Sequence, residues 1–122
     1  MGGVLGAEAR HAVATAIPHD ATGWPWSTLL VNISGCLLIG VLMVVITERV
    51  RAHPLVRPLL GIGVLGGYTT FSTYAVDAVV AADSGGVGVA AASIVATPLL
   101  ALLAVTVGAA AARALVPERG AR

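Results

Sequence analysis

"GGYTTFSTY", residues 66–74, packs two glycines, three threonines, a serine and three aromatic residues into nine positions of a 122-residue chain that is 57% hydrophobic. Its flanks decide how it is read. Residues 55–65 and 75–82 are apolar, but neither is long enough alone to cross a bilayer, which takes about 20 residues of helix. The stretch is therefore no loop between two spans. It lies at membrane depth, inside a single span at 55–82 that carries Arg57 near its start and Asp77 near its end. Polar or irregular backbone survives at that depth only where protein or a water-filled cavity surrounds it. The pattern predicts a discontinuous helix, a recurrent way of turning carbonyls and amides toward an ion.

Working outward, 26–47 ("WSTLLVNISGCLLIGVLMVVIT") and 87–112 are uncharged and long enough to span. A shorter first span is read at 2–17, where Glu8, Arg10 and His11 interrupt the apolar run. The segments between, "PHDATGWP" (18–25), "ERVRAHP" (48–54) and "DSGG" (83–86), carry the proline, glycine and charge signals of membrane-surface turns. Trp24, Pro25 and Trp26 suit an interfacial anchor. The expectation is one all-α transmembrane domain over 1–122, with four membrane helices of which the third is broken.

Composition excludes several classes. Charged residues make up 11% of the chain and its mean hydropathy is +0.94, too little charge to cover a soluble domain. There is no lysine, and the net charge of +1 offers no basic stripe for nucleic acid. The lone Cys36 gives no disulfide framework, and His11, His19 and His53 are scattered without metal-ligand spacing. The N-terminus lacks a charged region followed by an apolar one, so no cleaved signal peptide is expected. No catalytic constellation or carboxylate pair is placed with any positional logic, so no enzyme is expected.

The polar residues of the spans share helix faces. Thr28, Asn32 and Gly35 fall at i, i+4 and i+7; Ser93, Thr97 and Ala101 fall at i, i+4 and i+8. Pro98 has no N–H and so frees the carbonyl of Ile94. With Thr69, Thr70, Ser72 and Thr73, these residues can line a track of neutral donors, suited to replacing the water of a small anion. Phe71 and Tyr74 are i, i+3 neighbours, and aromatic ring edges are electropositive. A plainer reading stands beside this one. Membrane Ser and Thr often bond their own i−4 carbonyls, Asn32 can glue helices, and Gly63-x-x-x-Gly67 is a packing pattern.

At this point the motifs carry a family. "GGVLGAEAR" (2–10), "PWSTLLVNISGCLLIG" (25–40), "GVLGGYTTFSTYAVD" (63–77) and "LLAVTVG" (102–108) resemble, in order, the signatures of the Fluc/CrcB fluoride channels. The resemblance implies an antiparallel dimer with two fluoride pores at its interface, in the bacterial cytoplasmic membrane, exporting fluoride and lowering its toxicity. It implies a structural Na+ at the dimer centre, held by the backbone carbonyls of Gly66 and Thr69 in the broken helix. It places Asn32, Phe71, Ser72, Thr73, Tyr74, Ser93 and Thr97 along the fluoride path and Arg10 in the vestibule. A break of this kind is expected to resist a β-branched residue at Gly66.

The chain departs from the family pattern at Tyr74 (usually Phe), Ser93 (commonly Tyr), Ala75 (Ser), Asp77 (Glu) and Glu8 (apolar). Two other functions compete. A small proton-coupled exporter of the multidrug type needs a membrane carboxylate, for which Glu8 is the first-span candidate. A non-conducting structural partner within a heterodimeric channel is the other. Arginine distribution bears on the second. Arg49, Arg51, Arg57, Arg113, Arg119 and Arg122 fall on the side of both termini, and Arg10 alone on the opposite side. That bias predicts cytoplasmic termini and one fixed orientation. A dual-topology homodimer needs near balance, so an antiparallel dimer here calls for an oppositely biased homologue.

Overall fold

The computed structural model describes residues 2–18, 24–49, 51 and 53–117, and these are helical with short connections. Helix α1 is Gly2–Ala16; α2 is Trp26–Val44, continued by the π-helical turn Val45–Arg49. A π-helical stretch, Arg57–Leu65, leads into α3, Gly66–Tyr68; α4 is Ser72–Asp83 and α5 is Val87–Leu115. Three of these runs are long and apolar enough to cross a membrane: Trp26–Arg49, Arg57–Asp83 and Val87–Leu115. The chain is a multi-pass membrane protein. Helix α1, at 15 residues, falls short of a full crossing on its own. Arg119, Arg122 and His19 lie outside the described residues.

Local sequence explains the ends. Helix α5 starts after Gly85, whose φ of 92° suits a residue without Cβ, and stops two residues before Pro117. It outlasts the expected boundary at 112 because Arg113 finds a partner. Its guanidinium donates to both carboxylate oxygens of Glu48, Nε to Oε2 at 3.1 Å and Nη2 to Oε1 at 2.9 Å. The buried Arg49 donates to the Arg113 carbonyl, so the same ends of the second and last spans are tied together.

Glycines set the helix spacing. A Cβ at Gly40 would strike the Val105 carbonyl, and one at Gly108 the Leu37 carbonyl, so α2 and α5 pass with their backbones nearly touching. On the other side, Gly2 faces the Leu59 carbonyl, Gly6 the Val64 carbonyl and Gly67 the Gly3 carbonyl. These contacts lay α1 along the run 57–68. They end at Arg10, whose Nη1 reaches within 3.5 Å of the Thr69 carbonyl. Large apolar side chains stay exposed on all the long helices, among them Val4, Leu38, Ile62, Val79 and Leu102, as lipid or a partner subunit in a membrane requires.

Candidate functional site

Between α3 and α4 the backbone leaves the helix. Thr69 is extended, at φ −77° and ψ 156°, and helical geometry resumes at Ser72. Two diverted amides account for this. In an unbroken α-helix the Thr70 N–H would reach the Gly66 carbonyl; here it donates to Asn32 Oδ1 at 2.8 Å. The Thr73 N–H would reach the Thr69 carbonyl; it donates instead to Thr70 Oγ1 at 3.1 Å, so Thr70 caps α4. The carbonyls of Gly66 and Thr69 thereby lose their α-helical donors. Asn32 completes the clasp by donating from Nδ2 to the Thr70 carbonyl at 2.9 Å. A primary amide matches a peptide group donor for acceptor, which is why this side chain can stand in for a missing stretch of helix.

Further polar contacts brace the segment. Thr69 Oγ1 donates to the Leu65 carbonyl. Ser34 and Tyr68 share a hydroxyl hydrogen bond at 2.9 Å, and Thr28 donates to Asp77 at 2.6 Å. Gly35 leaves room for the Thr69 methyl group, which a Cβ there would strike.

Two clefts flank the clasp, and Thr70 lines both. One, of about 420 Å³, gathers Asn32, Gly66, Thr69, Phe71, Tyr74 and Thr97. The other, of about 210 Å³, is lined by Arg10, His11, Ser27, Thr28 and Thr73 among others. No carboxylate among the described residues lines either cleft; Arg10 supplies a positive charge to the second. Phe71 is 79% exposed, and its ring centroid lies 5.6 Å from that of Tyr74 at an interplanar angle of 57°. Together the clefts present hydroxyls, amides and ring edges, with Arg10 on one side of the smaller cleft and the Asp77 carboxylate one hydrogen bond behind Thr28 on the other.

Comparison with known proteins now bears on this geometry. Residues 1–109 match the family described as CrcB-like protein, Camphor Resistance (CrcB). The chain belongs to the CrcB family. It is 52% identical to Fluoride-specific ion channel FluC 1 of Streptomyces coelicolor, over 98% of this chain and 77% of that one. It is 46% identical to Fluoride-specific ion channel FluC 2 of Thermobifida fusca, over 99% and 90% respectively. Against Fluoride-specific ion channel FluC of Solibacter usitatus the identity is 40%, over 93% of each chain.

Of the residues expected from sequence in this CrcB-family chain, the larger cleft brings together Asn32, Gly66, Thr69, Phe71, Tyr74 and Thr97. Arg10 and Thr73 sit in the smaller one. Ser93 joins neither: it is 1% exposed and its hydroxyl bonds the Ala90 carbonyl, the local back-bonding that membrane serines favour. Ser72 begins α4, exposed, outside both clefts. Glu8 is exposed on α1 and lines neither cleft. Within one subunit the close approach falls at Gly67 rather than at Gly66. A Cβ at Gly66 meets only the Gly61 carbonyl, at 3.7 Å, whereas one at Gly67 collides with Gly3. Gly66 faces away from α1 and Gly67 faces it. Thr70, one hydroxyl among several in the sequence, is the residue common to both clefts. A threonine just before a helix start, a position threonine favours as a cap, is the sequence signal for this role.

Proposed function

We propose that this chain is a subunit of a fluoride-selective channel that lets fluoride leave the cytoplasm through the bacterial cytoplasmic membrane and so lowers its toxicity. The observation that carries the reading is the fluoride-specific channel name borne by a relative 52% identical over 98% of this chain. The geometry supports it. Fluoride is small and strongly hydrated, so a path for it must offer many neutral donors in place of water and no fixed negative charge. The larger cleft at Thr70 has that character, and in the smaller one Arg10 offsets the Asp77 carboxylate behind Thr28. The route runs from the Arg10 vestibule past Thr73 and the Asn32–Thr70 clasp to Phe71, Tyr74 and Thr97. Ser72 and Ser93 stand beside it.

The run 57–83 acts in this proposal as one membrane span broken at Thr69–Phe71. An antiparallel dimer covers the exposed Phe71 ring and the apolar face around it. The Gly66 carbonyl, without its helical donor, fits a structural Na+, which takes oxygen ligands from unwound backbone; the Thr69 carbonyl would join it only on leaving Arg10 Nη1, 3.5 Å away. Carbonyls from one subunit would leave such an ion's shell incomplete, so a partner's matching carbonyls would be needed to complete it, and an ion held there would tie the two breaks together. The arginine bias gives each subunit one orientation, so the partner is an oppositely inserted homologue. No residue placed here calls for chemistry on a substrate, and the proposed role is passive conduction, not catalysis. Fluoride release from proteoliposomes holding the purified subunit, with and without such a homologue, tests the proposal; release no faster than from empty vesicles in both cases overturns it.

A further inference from the structure

Pro98 lies inside α5 and has no N–H to give the Ile94 carbonyl four residues earlier. A carbonyl left bare at membrane depth costs free energy and presents a partial negative charge. In this chain the gap is filled from another helix: Tyr74 Oη donates to the Ile94 carbonyl at 2.5 Å. The donor belongs to the ring that packs on Phe71 and borders the cleft containing Asn32, Thr97 and Pro98. Ile94 itself lines the adjoining apolar cleft of about 440 Å³, together with Phe71 and Tyr74.

We infer that Tyr74 is a positioning and selectivity residue, whose hydroxyl masks the carbonyl that Pro98 frees and thereby removes an acceptor from the apolar cleft that adjoins the anion path at Phe71 and Tyr74. The inference deepens the fluoride reading and rests on it for its functional half. The hydroxyl has one proton to donate, and it goes to Ile94. Tyr74 therefore does not offer that proton to a passing ion; it contributes its ring edge, held in a fixed orientation between α4 and α5. The mask and the proline belong together. A phenylalanine in place of the tyrosine would leave the Ile94 oxygen bare beside the apolar cleft that adjoins the path. A residue with an N–H in place of the proline would satisfy the oxygen within α5 and make the tyrosine hydroxyl dispensable.

The experiment is a double-mutant cycle of Tyr74→Phe and Pro98→Ala in the full chain, read two ways. The first readout is fluoride efflux from proteoliposomes. Tyr74→Phe alone is expected to slow efflux about fivefold, the factor that corresponds to one neutral hydrogen bond. On the Pro98→Ala background the same change is expected to have less than about a twofold effect, since the new amide supplies the donor. The second readout does not depend on transport. The sequence contains one Ile–Val pair, so labelling isoleucine with 13C at the carbonyl and valine with 15N selects the 94–95 peptide in NMR spectra. Tyr74→Phe is expected to move the Ile94 carbonyl upfield when Pro98 is present and to leave it in place on the Pro98→Ala background. Equal efflux losses in both backgrounds, or an Ile94 signal indifferent to Tyr74, overturns the inference. If the wild-type chain passes no fluoride with or without an oppositely inserted homologue while the variants show the coupled carbonyl shift, the fluoride reading is refuted and the masking stands.

Discussion

Asn32→Asp separates the clasp from the cleft lining most sharply. The side chain is 8% exposed and makes two hydrogen bonds to Thr70, one in each direction. Aspartate keeps the acceptor for the Thr70 N–H but loses the donor to the Thr70 carbonyl. A buried carbonyl without its donor costs about 1–3 kcal/mol. Ionising the carboxylate beside that carbonyl adds several kcal/mol more, and protonating it to avoid the charge adds a cost of its own near neutral pH. Even the lower sum, about 3 kcal/mol, corresponds to roughly a hundredfold fall in the equilibrium constant for the intact clasp. Fluoride efflux near neutral pH is therefore expected to fall by about two orders of magnitude. Asn32→Gln, which keeps the amide but misplaces it, is expected to lose less. The assay is electrode-monitored fluoride release at matched protein density, with circular dichroism to confirm that the helices persist. Wild-type efflux from Asn32→Asp under those conditions would refute both the clasp and the proposed path.

Three further outcomes follow from the packing. Gly67→Ala is expected to lower thermal stability by several degrees because its Cβ meets the Gly3 backbone, whereas Gly66→Ala is expected to change it little; the reverse order in a detergent melt would show that α1 docks elsewhere. Thr70→Val is expected to cost about 1 kcal/mol through loss of the α4 cap while keeping the Asn32 bonds to its backbone; a stability equal to wild type would show that the hydroxyl does not cap. Reporters active in the cytoplasm or the periplasm, fused to the C-terminus, are expected to read cytoplasm alone; equal signals would instead indicate dual insertion.

Length arithmetic carried much of the fold. The uncharged runs 26–47 and 87–112 place two spans, and the short flanks of "GGYTTFSTY" put that stretch within a third. The structure places the start of the irregular backbone at Thr69. What holds it open was not legible, because Asn32 and Thr70 are 38 residues apart and helical periodicity gives only the face on which Asn32 sits. The partner of Gly67 was hidden for a related reason. The Gly63-x-x-x-Gly67 pattern puts Gly67 on a packing face, and only the docked α1 shows which helix that face meets. Ser93 and Thr97 share a face as their spacing implies, yet Ser93 turns its hydroxyl to its own helix. The freed Ile94 carbonyl could be read from Pro98, but its donor, 20 residues earlier in another helix, could not. A charge at Arg113 reads as the end of the last helix, and only its pairing with Glu48 shows why the helix continues past it.

The central claim is that a lining of neutral donors around Asn32 and Thr70 passes fluoride and little else. Its most direct measurement compares fluoride and chloride efflux from the same proteoliposomes, the subunit being reconstituted with an oppositely oriented homologue. Rapid fluoride release with chloride release at the level of empty vesicles is the predicted result. Equal release of the two anions, or release of neither, would contradict it.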